Sequence, residues 1–171
     1  DLGTANKPES QEICFVEDND YGRFISERRG SEIKPGLFVN AKGNKLGIHK
    51  GIAHYTIGQR KGLGIALGKP MFVVEIIPEK NLVVLGDESE VFGRELIASR
   101  MNFIALEKLE EPIEVKAKIR YSAKEADAKV IPLDSDRVKV VFEEPQRAIT
   151  PGQAVVFYQK DMLIGGGTID L

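Results

Sequence analysis

Apolar residues in this chain come in short runs, and glycine or proline ends nearly every one. That pattern constrains the fold more than any other feature, because such runs suit strands and are too brief for long buried helices. Seventeen glycines and eight prolines supply the breaks. Gly36-Leu37-Phe38-Val39-Asn40 and Met71 to Ile77 read as strands. Pro78-Glu79-Lys80-Asn81 reads as a hairpin loop into Leu82-Val83-Val84-Leu85-Gly86. From Ile113 to Tyr121 the alternation is clean, with Val115, Ala117, Ile119 and Tyr121 on one face and Lys116, Lys118 and Arg120 on the other. Arg137 to Phe142 repeats it. Thr150-Pro151-Gly152 is a turn that leads into Ala154 to Tyr158, and a last strand starts at Met162 after a turn near Lys160-Asp161.

The expected fold is mainly β, in two small modules, the second a small antiparallel barrel or sandwich. Residues 1–20 show no sustained periodicity and read as a linker or as the tail of a missing domain, carrying Cys14; the modules are placed at 21–95 and 96–171. Helix is expected only as a turn or two around Thr56 to Leu63 and a short piece near Ser122 to Ala128. The 171 residues, 42% hydrophobic and 29% charged, suit a globular chain. No apolar run approaches the roughly 20 residues that cross a bilayer, and no signal peptide is visible at the start. A single cysteine points to a reducing compartment, the cytoplasm. The chain begins Asp1-Leu2-Gly3 rather than with Met, and is expected to be a fragment of something longer.

The charges are segregated. Between Glu32 and Glu75 there is no acidic residue, while Lys34, Lys42, Lys45, Lys50, Arg60, Lys61, Lys69 and both histidines, His49 and His54, fall there. A surface of that kind attracts phosphate backbones; an ordinary solvated face is the rival reading. The Lys116, Lys118, Arg120 row adds a second basic patch. Tyr121 at its end could stack on a base, although alternation by itself assigns it to the core, and Arg120 could pair with a carboxylate on the sheet.

The remaining motifs are plainer. His49 and His54 lack the cysteines or carboxylates of a zinc site, so no metal is expected. His49-Lys50-Gly51 shapes a loop or touches a phosphate. Gly62-Leu63-Gly64 and Gly165-Gly166-Gly167 lack the lysine and helix of a phosphate loop, and the triple glycine suits a close approach of backbones. Gln153 sits near a loop tip. Cys14 cannot form an internal disulfide, and Glu9, Glu12, Glu17, Asp18 and Asp20 beside it would raise its pKa. From the residues alone it is either a reactive thiol activated from elsewhere or a buried inert one.

Several runs closely resemble the bacterial tRNA-specific 2-thiouridylase family, in order along almost the whole chain. They are Ser10 to Phe15, Gly47-Ile48-His49-Lys50-Gly51, Tyr55-Thr56-Ile57-Gly58-Gln59-Arg60-Lys61-Gly62-Leu63-Gly64, Lys118-Ile119-Arg120-Tyr121, Pro145-Gln146-Arg147-Ala148 and Thr150 to Tyr158. The resemblance implies the C-terminal part of an enzyme that adds sulfur to carbon 2 of the wobble uridine of tRNA. ATP and Mg²⁺ would be bound by an N-terminal domain outside this chain, which would also hold a second catalytic cysteine. Cys14 would carry a persulfide received from a sulfur-relay protein or cysteine desulfurase. The positions matching Arg120, Tyr121 and Gln153 would contact tRNA, joined by Arg60 and Lys61 of the basic stretch, and the last module would be a barrel similar to those of elongation factors. Glu9 and Glu12 stand where the family often has Asp and Gly. The resemblance favours binding over the core for Tyr121, and a reactive over an inert Cys14. The alternative is a non-catalytic β-barrel module that binds RNA or protein. By itself this part is expected to catalyse nothing.

Overall fold

A computed structural model of the protein describes residues 21–29 and 33–170. Cys14 and the expected linker 1–20 lie outside the described residues. The described chain runs α1 (Tyr21–Arg29), β1 (Gly36–Val39), β2 (Lys45–His49), β3 (Phe72–Ile77), β4 (Leu82–Gly86), β5 (Phe92–Phe103), β6 (Ile113–Lys118), β7 (Ala126–Pro132), β8 (Val138–Arg147), β9 (Ala154–Gln159) and β10 (Met162–Asp170). It is mainly β, in two sheets. One is four-stranded in the order β2-β1-β4-β3, and the other is a closed barrel in the order β10-β5-β8-β7-β6-β9.

In the first sheet β1 pairs antiparallel with β2 and parallel with β4. The β1–β2 turn is built by Asn40, whose Oδ1 accepts from the backbone N–H groups of Lys42 and Asn44 at 3.0 and 2.9 Å. The β3–β4 reversal is a 3₁₀ turn at Pro78–Lys80 that ends on Asn81 in the left-handed region (φ 51°). Asn81 Nδ2 donates to the carbonyls of Lys34 and Pro35, tying the turn to the segment that enters β1. Phe38, Tyr55, Leu63, Val73, Val83 and Leu85 form the core on one face of this sheet.

His49 belongs to that core at 1% exposure. Its ring meets Phe38 and Tyr55 edge-on, at centroid distances of 5.3 and 5.5 Å. Nδ1 accepts the Gly51 N–H at 3.0 Å, so the proton resides on Nε2, which donates to the Asn81 carbonyl at 3.2 Å. Burial pushes its pKa down from 6.5. The phosphate-touching reading of His49 is therefore corrected: this histidine is an interior, neutral side chain that shapes the loop after β2.

The barrel follows from period-two patterning. Val115 and Ala117, Ala128 and Val130, Val138, Val140 and Phe142, and Val155 and Phe157 all point inward, with Leu96, Ala98, Ile164 and Ile169 from the other two strands. Burying an aromatic such as Phe142 or Phe157 stabilises by about 1.5–3 kcal/mol each. The triple glycine sits on β10 where the backbones press together. A Cβ on Gly165 would lie 2.5 Å from the Asn102 carbonyl oxygen, and one on Gly166 would lie 2.6 Å from that of Val155.

Both expected helical pieces are absent. Thr56 to Leu63 is an irregular loop, with only a 3₁₀ turn at Ile52–His54 before it. Ser122 to Ala128 is a turn that runs into β7. Barrel closure overrides the local preference of Ala123-Lys124-Glu125-Ala126, because β7 bonds to β6 and β8 on both sides. Among the described residues the one α-helix, α1, precedes the first sheet.

Candidate nucleic-acid interface

Strand pairing brings the separately named residues to one end of the barrel. β6 ends at Lys118, level with Val156 of β9. The turn holding Arg120 and Tyr121 follows at once, and its counterpart across that ladder is the start of β9, which Gln153 precedes by one residue. The Gln153 carbonyl accepts from Ile169 N–H at 2.8 Å, which fixes the Thr150–Gln153 turn on β10. β5 enters the barrel at this same end, with Phe92 level with Arg147 of β8.

Tyr121 is 72% exposed. The alternation that assigned it to the core stops with β6 at Lys118; Ile119 is buried, and the chain then turns. The core reading of Tyr121 is corrected. Lys118 Nζ lies 5.5 Å from its ring centroid, an arrangement that orients the ring and its cation together. Arg120 is half-buried and makes no ion pair with any described residue. The side chain of Gln153 is exposed.

The expected basic row on β6 is shorter than the sequence suggests. Lys116 donates to Asp127 Oδ1 at 2.6 Å, and this hydrogen bond holds its pKa above the usual lysine value. Asp127 belongs to β7, directly across from Lys116, so pairing neutralises that lysine. The open groove of about 570 Å³ beside it is lined by Glu114, Asp127 and Glu143 as well as Lys116 and Lys160, a mixed surface that favours phosphate poorly. Lys118 and Arg120 are the cations left at the end of β6.

Arg60 and Lys61 are exposed in the loop that follows the 3₁₀ turn. Their neighbours are anchored. Tyr55 and Leu63 are buried in the first core. The Gln59 side chain spans the loop: its Oε1 accepts from Thr56 N–H, and its Nε2 donates to the Lys61 carbonyl, both at 3.0 Å. Gly58 and Gln59 also bond to Val73 of β3, at 2.7 and 2.9 Å. Of the other cations in the acid-free stretch, Lys69 is paired with Asp87 at 2.7 Å.

This loop meets the barrel. Gly58 lies against Ala148, and its carbonyl accepts from Arg147 Nη2 at 3.2 Å. Gln153 is five positions beyond Ala148, a span of no more than about 18 Å. Arg60 and Lys61 are thus tied, through Ala148 and Arg147, to the same end of the barrel that Gln153 occupies. Sequence reasoning did not single out Arg147, Gly58 or Gln59; the only signal for them was their place inside the resembling runs. Among the described residues there is no group of histidine, cysteine and carboxylate side chains able to hold a metal. No described helix is long and apolar enough to cross a membrane.

Residues 22–87 match the family described as tRNA methyl transferase PRC-barrel domain, and residues 93–169 match the aminomethyltransferase beta-barrel domain. The chain is 67% identical over 168 residues to tRNA-specific 2-thiouridylase MnmA of Acetivibrio thermocellus, covering 98% of this chain and 47% of that protein. It is 62% identical over 169 residues to tRNA-specific 2-thiouridylase MnmA 1 of Thermoanaerobacter pseudethanolicus and to MnmA of Carboxydothermus hydrogenoformans, covering 99% of this chain and 46% of each. The chain spans about half the length of the curated relatives it matches. Matched almost end to end by proteins of one name, it belongs to the tRNA-specific 2-thiouridylase family and corresponds to the C-terminal part of its members.

Proposed function

We propose that this chain is the tRNA-binding and sulfur-carrying part of a 2-thiouridine-forming enzyme of the cytoplasm. The observation that carries the binding half is the convergence of Arg60 and Lys61, Arg120 and Tyr121, and Gln153 toward one end of the barrel, with Tyr121 72% exposed. The cations would neutralise phosphates, Tyr121 would stack on a base, and Gln153 would hydrogen-bond a base edge or ribose.

Cys14 is the candidate sulfur carrier. A persulfide on its Sγ would be more acidic than the thiol, which answers the acidic residues around it in sequence. A sulfur-relay protein or cysteine desulfurase would load it. ATP and Mg²⁺ would be bound outside this chain. The glycines of β10 face strand backbone, and Gly62-Leu63-Gly64 opens no helix. Nucleotide chemistry would belong to the half of the family-length protein that this chain does not span.

The test of the carrier is Cys14→Ser in the family-length enzyme, read as thiolated uridine in tRNA. Thiolation should vanish, and full activity in that variant refutes the assignment. The binding half is tested with Tyr121→Ala in this chain. Losing a stacking platform should weaken tRNA binding by roughly 5- to 100-fold with no drop in the melting temperature; unchanged affinity removes Tyr121 from the site.

A further inference from the structure

The two sheets meet at a small, specific contact. Phe72 of β3, Val91 and Ala148 form a buried cluster of their own, with Ile57 and Val74 packed on it. The Ala148 N–H donates to the Val91 carbonyl at 2.9 Å, and Ala148 is held in the left-handed region (φ 55°). Opposite it Gly58, also at positive φ (85°), approaches so closely that a Cβ there would stand 2.8 Å from the Ala148 Cβ. Arg147 closes the contact. Its guanidinium lies over the Phe72 ring, 5.7 Å from the centroid, and donates to the Gly58 carbonyl.

Two residues beyond Gly58 stands Arg60; five beyond Ala148 stands Gln153. The contact therefore joins the two chain segments that carry the halves of the candidate interface and belongs to neither. Two binding patches held rigidly at the right spacing act together, because engaging one presents the other at high effective concentration. Let the spacing float, and each engagement must be ordered anew.

We propose that Arg147, seated on Gly58 and Ala148, is a positioning residue that holds the Arg60–Lys61 loop in fixed relation to Arg120, Tyr121 and Gln153, so that tRNA meets one preformed surface. This rests on the tRNA-contact reading above. Arg147 acts through the loop rather than by touching RNA. Its guanidinium is occupied by Phe72 and Gly58, and it is half-buried, whereas Arg60 and Lys61 are exposed.

A double-mutant cycle tests it, using this chain and an unmodified tRNA transcript with uridine at the wobble position. In the unmutated background Arg60→Ala should weaken binding roughly fivefold, and in the Arg147→Ala background by less than about twofold, because a loosened patch no longer engages together with the barrel. Arg147→Ala alone should weaken binding roughly tenfold. Gly58→Ala, which changes no charge, should reproduce that loss by forcing the surfaces apart. Adding Ala148→Gly, which deletes the opposing methyl, should restore part of it. Melting curves establish that each variant is folded, and Gly58→Ala carries the test if Arg147→Ala is not. Additive losses for Arg60→Ala and Arg147→Ala, or normal affinity in folded Gly58→Ala, overturn the latch while leaving the contact residues standing. If Arg60→Ala and Arg120→Ala are both silent, the contact reading itself fails and the latch with it.

Discussion

Among the described residues His49 is the one polar side chain the cores bury, and burial favours its neutral ring although the hydrogen bond to the Asn81 carbonyl pulls the other way. Nδ1 must keep its lone pair to accept Gly51 N–H, and the edges of Phe38 and Tyr55 offer no counter-charge. Burial lowers its pKa from 6.5. The unfolded chain thus binds a proton below about pH 6.5 that the folded chain refuses. The stabilisation tied to the neutral ring is complete above that value and is lost as pH falls below it. Urea midpoints measured at about pH 7.5 and about pH 5.5 should show this as a drop at the lower pH. The drop should be smaller in His49→Gln, whose side chain does not titrate; an equal drop in both shows that other groups set the slope. At about pH 7.5, His49→Ala should itself cost about 2–4 kcal/mol, through the cavity and the unpaired Gly51 N–H.

At the scale of elements, the loop from Tyr55 to Gly64 has no regular structure, yet it is fixed by both ends and by its middle. Buried Tyr55 and Leu63 hold the ends, and the Gln59 side chain substitutes for the backbone ladder a helix or hairpin would supply. Gln59→Ala should speed hydrogen exchange of the Thr56 amide and lower tRNA affinity severalfold with little change in melting, since the hydrogen bonds lost are exposed and water replaces them. Normal affinity together with faster exchange would mean that the loop need not be preordered. This loop also marks what could be read from sequence. β1, β3, β4, β6, β8, β9 and β10 announce themselves through alternation or dense apolar runs. β2 does not, because an edge strand with Gly47 at its centre and Ile48 exposed has few apolar residues to show. β5 is masked by Arg94-Glu95-Leu96-Ile97-Ala98, residues that favour helix locally, and is held straight by β8 and β10. The candidate contacts were legible one at a time. Their convergence was not, since it depends on which strand lies beside which once the barrel closes. Arg147 was invisible for the same reason, because its partners Gly58 and Phe72 are distant in sequence.

For the whole molecule, the net charge of −2 is a poor guide to how it meets RNA, because the sign of charge varies from place to place. Pairing refines the distribution further. Lys116, Lys129 and Lys139 on the barrel face Asp127, Glu114 and Glu95 across neighbouring strands, so the barrel wall is close to self-neutralised. Arg60, Lys61, Lys118 and Arg120 make no ion pair with any described residue; Lys118 and Arg120 stand at the barrel end to which the Arg60–Lys61 loop is tied through Ala148. Binding governed by those four cations has a definite signature. Each phosphate neutralised releases condensed counterions, so raising salt from about 50 to about 200 mM should weaken tRNA binding roughly 50- to 150-fold. Substituting Arg60 or Arg120 by alanine should shallow the log–log slope by about one each, whereas Lys116→Ala, which removes a lysine already paired to Asp127, should leave it nearly unchanged. A filter-binding titration over that salt range reads all three. A flat salt response would assign binding to stacking and hydrogen bonds alone. A slope that falls as much for Lys116 as for Arg120 would put the RNA on the barrel wall instead of its end.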